Sequence, residues 1–189
     1  MSSLVAVLDA CILYPPSLRD FLLSIADGGY FQPKWSKEIN GEWTRNFLKD
    51  HPDCRRSNLV DIVKVMNDVF PDSNVQNYKR EISRIKLPDP NDAHVLAAAI
   101  KSQANVIVTN NLKDFPKKSL EEFQIKAKSP DDFVSELLKE DEDGIVLSIK
   151  IMRSRLVNPP LTAVDIVNRL RTNRLFKTAL IFENRLKDF

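Results

Sequence analysis

The chain has 189 residues, of which 43% are hydrophobic and 29% charged, and its formal net charge is +2. That size suits one α/β domain with a small appendage, and the composition excludes a disordered, collagenous or disulfide-stapled chain. Two isolated cysteines, Cys11 and Cys54, make neither a disulfide framework nor a zinc ligand set and fit a reducing cytoplasm. No apolar run approaches the roughly eighteen residues of a membrane span, and the opening Met1-Ser2-Ser3-Leu4 lacks a basic n-region, so neither membrane insertion nor secretion is expected.

Leu4 through Leu8 is a continuous apolar run that stops at Asp9. Apolar on both faces, it predicts a buried parallel strand. Leu18, Phe21, Leu22 and Ile25 recur at helical spacing, and Gly28-Gly29 end that helix. Ser36 is placed to cap a helix carrying Ile39, Trp43 and Phe47 on one stripe. Leu59, Ile62, Val63, Met66 and Phe70 predict the next helix, closed by Pro71. Residues 75–86 suggest a short helical stretch. Leu87-Pro88-Asp89-Pro90-Asn91-Asp92 is a stiff entry to a helix running through Ile100. Val106 to Thr109 is a second buried strand, followed by the loop Asn110 to Pro116. Phe123 to Ala127 alternates like a third, edge strand. Ser129 caps a helix from Pro130 to Lys139.

After the acidic stretch 140–144 the pattern turns wholly helical. Ile145, Ile149, Met152 and Leu156 form one stripe, Asn158-Pro159-Pro160 breaks it, Thr162 and Asp165 form a capping box, and a last helix spans about Leu175 to Leu186. Alternating strands and helices followed by helices alone predict a parallel α/β domain over 1–140 and a helical C-terminal extension over 141–189. The extension is basic. Residues 144–189 carry 9 Lys+Arg against 3 Asp+Glu, leaving 19 against 23 for residues 1–143. Such a tail either grips a polyanion through phosphate contacts or is an ordinary solvated helix surface.

In a parallel α/β sheet the chemistry lies at the carboxyl ends of the strands. Asp9 ends the first apolar strand, and Asn111 and Asp114 follow the second. A carboxylate at a buried strand end needs a cation or hydrogen-bond donors. Asp9 has no basic residue within nine positions on either side, so its partner is either a metal or the backbone amides of a turn. Asp92, beside Asp89, lies in the first turn of its helix, where an acid also simply complements the helix dipole. Glu42 falls about 60° from Ile39 on a helical wheel, bordering the apolar stripe, whereas Glu38 falls about 100° away and faces water more openly. Carboxylates converging from separate elements suit a hard divalent cation and phosphodiester hydrolysis. Neither His51 nor His94 has metal-motif spacing, and no glycine-rich phosphate loop occurs.

These same four regions resemble the PIN-domain family. Val7-Leu8-Asp9-Ala10-Cys11-Ile12-Leu13-Tyr14 is similar to the opening strand and first acid of that family, and Trp35-Ser36 through Glu42-Trp43 to the segment of the second. Leu87 through Ala99 resembles the third, and Val108-Thr109-Asn110-Asn111-Leu112-Lys113-Asp114 the fourth. The segment Tyr14 to Asp20 and the tail from Arg155 to Thr162 resemble a VapC-like branch with a helical C-terminal extension, the toxin half of bacterial toxin–antitoxin pairs. The resemblance implies a PIN-like (Rossmann-like) α/β/α sandwich with a parallel sheet and a metal-dependent endoribonuclease using Mg²⁺ or Mn²⁺. It further implies an RNA substrate, a cognate antitoxin protein and a homodimer. By position it assigns Asp9, Glu42, Asp92 and Asp114 as catalytic, metal-holding acids. Asn111 and Asp89 follow as further candidate ligands, and Thr109, Arg19 and Ser36 as substrate-positioning side chains. Many PIN domains have an acid where Asn111 stands, so the fourth acidic role falls to Asp114.

Rival readings fit less well. A haloacid-dehalogenase-like phosphatase needs a second Asp two positions after Asp9, where Cys11 stands. A receiver-like domain needs paired acids at the first strand and a phospho-acceptor Asp ending a later one. A PIN fold that binds RNA or protein without cutting it is the alternative, and Asn111 is the one feature that points toward it.

Overall fold

The computed structural model describes residues 4–189. These divide into two compact units. One comprises the residues up to Tyr14 together with Gln32–Lys128, and the other comprises Pro15–Phe31 together with Ser129–Phe189.

The first unit is built on a five-stranded parallel sheet: β1 (Val5–Leu8), β2 (Gln32–Ser36), β3 (Asn74–Val75), β4 (Val106–Val108) and β5 (Lys126–Lys128), in the order β3-β2-β1-β4-β5. β1 is central, and Ala6, Val7 and Leu8 are fully buried, which explains their unbroken apolarity. Its helices are α1 (Ala10–Leu13), α3 (Lys37–Asp50), α4 (Arg56–Val69), α5 (Ala93–Lys101) and α6 (Lys117–Leu120), with α2 (Pro16–Asp27) intervening in sequence but grouping with the second unit. Ala97, Ala98 and Ala99 of α5 are fully buried, small residues that allow backbones to approach closely. Two core indoles are satisfied by amides: Trp35 Nε1 donates to Asn67 Oδ1 at 2.9 Å, and Trp43 Nε1 to Asn40 Oδ1 at 2.9 Å.

Three sequence expectations change here. β2 escapes the periodicity because Pro33 and Lys34 interrupt it. Pro33 is tolerated because β3 pairs only with Trp35 and Ser36, so no neighbour on that side needs the missing N–H. β3 has only two residues and is followed by a 3₁₀ turn, Lys79–Arg84. The edge strand begins at Lys126 rather than Phe123, because Glu121–Phe123 form a 3₁₀ turn and Gln124 takes a left-handed φ of 56°.

The second unit is helical: α2, α7 (Pro130–Glu140), α8 (Glu142–Arg155), α9 (Ala163–Thr172) and α10 (Phe176–Asn184). Its compactness does not divide at 140/141. α2 and α7 bury their apolar faces among the tail helices, with Phe21 packed edge-on to Phe182 and Phe31 edge-on to Phe133. α10 has no side-chain cap of its own. Asp131 of α7 supplies one, accepting from the Lys177 N–H, the Thr178 N–H and the Thr178 hydroxyl at 2.9 Å each. Asp141 is the single residue between α7 and α8 and caps α8 by accepting from the Gly144 N–H. The expected capping box of Thr162 and Asp165 is present on α9.

Candidate active site at the carboxyl edge of the sheet

Strand order reverses beside β1: the chain runs outward through β2 and β3, then crosses to β4 and β5. The β1–β4 junction is therefore the topological switch point, where parallel sheets open a crevice beyond their carboxyl ends. Asp9 leaves β1 at that point, and its N–H still bonds the Val108 carbonyl at 3.1 Å. The chain leaving β4 carries Thr109, Asn111 and Asp114 there as well.

Asp9 is only 4% exposed. It caps α1, Oδ1 accepting from the Ala10 N–H at 2.6 Å. Oδ2 accepts from the Thr109 hydroxyl at 2.7 Å and from the Cys11 thiol at 3.3 Å. The turn that the sequence leaves open as an explanation for Asp9 is thus real, yet it occupies only one carboxylate oxygen. Burial pushes the Asp9 carboxyl up, its three donors pull it back, and the Glu42 charge adds to the rise, leaving it above its ordinary value. Burial and the Asp9 charge push the Cys11 thiol up to about 12.

Asp92 ends the 3₁₀ turn Pro90–Asp92 and opens α5. Its carboxyl is pushed up to about 6, first by burial and then by the charges of Asp9, Asp89, Asp114 and Glu42. Five acids from four segments thus act on one locus. Asp114 closes the 3₁₀ turn Leu112–Asp114 and is half-buried. Glu42 lies on α3 with its side chain 38% exposed, and Glu38, one turn earlier, is exposed, as the wheel positions imply. Asp89 uses Oδ1 to accept from the Asn91 N–H at 2.9 Å, a turn-forming bond. Asn111 is exposed, and its N–H donates to the Thr109 hydroxyl oxygen at 2.9 Å.

The three side chains expected to position substrate are buried instead. Thr109 is fully buried and orients Asp9. Ser36 is fully buried and caps α3, accepting from the Ile39 N–H at 3.2 Å. Arg19 is 5% exposed on α2 in the helical unit, 3.7 Å from Asp20. Burial pulls its guanidinium below its ordinary value.

His94 lacks metal-motif spacing and reads in the sequence only as a helix residue near the site. It is buried on α5, with Nε2 3.5 Å from Glu42 Oε2. Burial pulls the imidazole down, but the Glu42 hydrogen bond and the charges of Glu38, Glu42 and Asp9 outweigh it, so its pKa lies above the ordinary value. Its Nδ1 is buried without a partner among the described residues. The only sequence signal was its place two residues after Asp92.

Carboxylate oxygens are the donors a hard divalent ion requires, and the mutual repulsion of these acids is what such an ion would relieve. No three of the His, Cys, Asp and Glu side chains already stand at metal-holding distances among the described residues. The donor set therefore fits in chemistry, and side chains would have to draw together around the ion.

Fold and site define a parallel-sheet α/β protein with acids gathered at its switch point. A PIN-domain model matches residues 5–113, more than half of the chain, which belongs to the PIN-domain family. A model of the VapC50 C-terminal domain matches residues 130–181, beginning at α7. Among curated proteins, the "Putative ribonuclease VapC50" of Mycobacterium tuberculosis is 43% identical over 79 residues, covering 42% of this chain and 47% of that protein. The match thus spans about half the length of that relative. No solved structure matches the chain. No helix among the described residues is long and apolar enough to cross a membrane.

Proposed function

We propose that this chain is a divalent-metal-dependent endoribonuclease, the toxin of a VapBC-like pair, acting in the cytoplasm on an RNA substrate. The reading rests on Asp9, Glu42, Asp92 and Asp114 lying on separate elements around the switch point, where burial first and then the charges of neighbouring acids push Asp92 up to about 6. Family membership and the likeness to a protein named as a ribonuclease support it. Asp9, Asp92, Asp114 and Glu42 would hold Mg²⁺ or Mn²⁺, with Asn111 and Asp89 at the margin. A bound divalent ion would neutralise a phosphodiester and activate water for attack on phosphorus.

The remaining work belongs to the chain. Thr109 and the Ala10 N–H fix the Asp9 carboxylate, the Asn111 N–H fixes the Thr109 hydroxyl in turn, and His94 restrains Glu42. Such supporting bonds keep ligands in place. We assign the chemistry to the sheet unit and treat residues 141–189 as the helical extension. The antitoxin and a second copy of the chain are the expected protein partners.

The test is cleavage of RNA by the purified chain with Mn²⁺, with excess EDTA, and by Asp9→Asn. Cleavage that requires the metal and vanishes in the variant is the expected result. RNA binding by the wild type with no cleavage under any metal identifies a binding module instead.

A further inference from the structure

A second feature lies in the sheet unit, at the β3 edge. Lys37, Asn74, Tyr78, Lys79, Arg80 and Lys101 are among the residues lining an open groove of about 940 Å³. That is large on the scale of small-molecule pockets, which run to about 1,000 Å³. Four of these six are cations. All four are exposed, and none is held in an ion pair among the described residues. The groove has one acid, Glu81, and it is paired with Arg84 at 3.2 Å. The lining thus carries four cations without an ion pair against one acid that is already paired. Gln76 and Asn77 add exposed amides, and Asn77 takes a left-handed φ of 57°. Asn74 Oδ1 is buried with no partner among the described residues.

The groove is linked to the acids through Tyr78. Its Tyr78 hydroxyl donates to Glu38 Oε2 at 3.0 Å, Glu38 acts on His94, and His94 meets Glu42 at 3.5 Å. β3 is two strands from β1, about 10 Å across the sheet at the usual strand spacing. Four cations on the helical unit are in a different state. Arg155, Arg171, Lys177 and Arg185 each face an acid of their own unit.

We infer that the groove of Lys37, Lys79, Arg80 and Lys101 binds the phosphate backbone of single-stranded RNA flanking the bond to be cut. The inference rests on the ribonuclease reading for its choice of polyanion. An acidic repulsive centre needs a neighbouring attractive surface to retain a polyanion, and free cations supply it through counterion release. The exposed amides of Gln76 and Asn77 are placed to touch bases.

The experiment measures binding of a fluorescent oligouridylate to the full chain carrying Asp9→Asn, in Mg²⁺, across a range of salt. The same background is then given Lys79→Gln, Arg80→Gln and Lys101→Gln, and separately Arg171→Gln and Lys177→Gln. Single-strand contacts contribute about 0.7 to the log–log salt slope per phosphate neutralised, so losing three cations should reduce the slope by about 2. The helical-unit pair should leave it unchanged. All five sites are exposed, and circular dichroism verifies folding; if the triple variant is unfolded, Lys79→Gln with Arg80→Gln replaces it, with an expected reduction of about 1.4. An unchanged slope in the folded groove variant overturns the inference. So does loss of polyglutamate binding with RNA binding intact, which would make the groove a site for an acidic protein segment. Cleavage by the wild type is assayed in parallel. Groove-dependent binding without cleavage would sink the nuclease reading and leave the groove assignment standing.

Discussion

The most conspicuous charged groups of the two compact units are arranged differently. In the helical unit several ions are matched: Arg185 meets Glu142, Asp143 and Asp188, Arg171 meets Glu183, and buried Asp131 takes three hydrogen bonds at the start of α10. In the sheet unit, beside the pairs Arg84–Glu81 and Lys117–Glu121, like charges are gathered in two places. At the switch point burial and then the charges of neighbouring acids push Asp92 up to about 6, and four cations share a groove with no ion-pair partner among the described residues. Matched charges stabilise modestly and ask for no ligand. Gathered like charges oppose folding, and their energy is recovered only when something of opposite sign binds. The contrast supports assigning the chemistry to the sheet unit, and of the two readings that the sequence leaves open for the basic tail it favours the solvated helix surface.

The largest effect that would break this comparison is on cleavage. Asp9→Asn should lower Mn²⁺-dependent RNA cleavage by more than about 100-fold, the upper end of what losing a supporting second-shell group costs. A variant with wild-type turnover would remove Asp9 from the chemistry. Asp114→Asn should come next, and Asn111→Ala well behind it, because an amide brings no charge to the ion. Titrating Mn²⁺ against cleavage for both orders them, and a dead Asn111→Ala beside an active Asp114→Asn would show the fourth ligand to be misassigned.

Thr109→Val tests the support rather than the ligand. It removes the 2.7 Å bond to Asp9 and the acceptor for the Asn111 N–H. A loss of about 10–100-fold in metal affinity is expected, measured as the Mn²⁺ concentration giving half-maximal cleavage. In the helical unit the corresponding change is Asp131→Ala, which strands the Lys177 and Thr178 N–H groups. It should cost about 1–3 kcal/mol of stability and leave the Mn²⁺ requirement for cleavage where it was. Thermal melts with and without metal separate the two kinds of effect.

The smallest effect is a sign. The Asp92 pKa is raised in the folded, metal-free protein, so its favourable contribution is full below the ordinary carboxylate value near 3.8 and is lost as pH climbs through about 6. Metal-free Asp92→Asn should therefore be more stable than wild type at pH 8, by no more than about 1 kcal/mol given solvent screening of this half-exposed group, and the advantage should disappear near pH 4. Melting curves at the two pH values decide it, and a destabilised variant at pH 8 would mean that Asp92 is compensated in the native state.

Asp9 was legible in the sequence because a buried strand that stops at an acid is a local pattern. Glu42 was legible because helical phase alone sets it beside the Ile39 stripe. β2 and β3 were not, since Pro33 and Lys34 break the alternation and a two-residue strand has no period to detect. The burial of Thr109, Ser36 and Arg19 was not legible for a common reason: a hydroxyl or guanidinium near a site looks the same in sequence whether it faces solvent or a neighbouring backbone. His94 depends on a contact between α3 and α5 that no spacing encodes. The groove cations Lys37, Lys79, Arg80 and Lys101 are scattered along the chain, and only the sheet edge and the packing of the Lys79–Arg84 turn against α5 bring them together.

The central claim is that Asp9, Glu42, Asp92 and Asp114 form one metal-holding pocket. Anomalous diffraction at the manganese edge from a crystal soaked in Mn²⁺ tests it without reference to any substrate. The account predicts anomalous density bonded to Asp9 and to at least one of Asp92 and Asp114, with Glu42 turned toward it. A crystal that takes up Mn²⁺ elsewhere, or leaves these carboxylates without any, contradicts it.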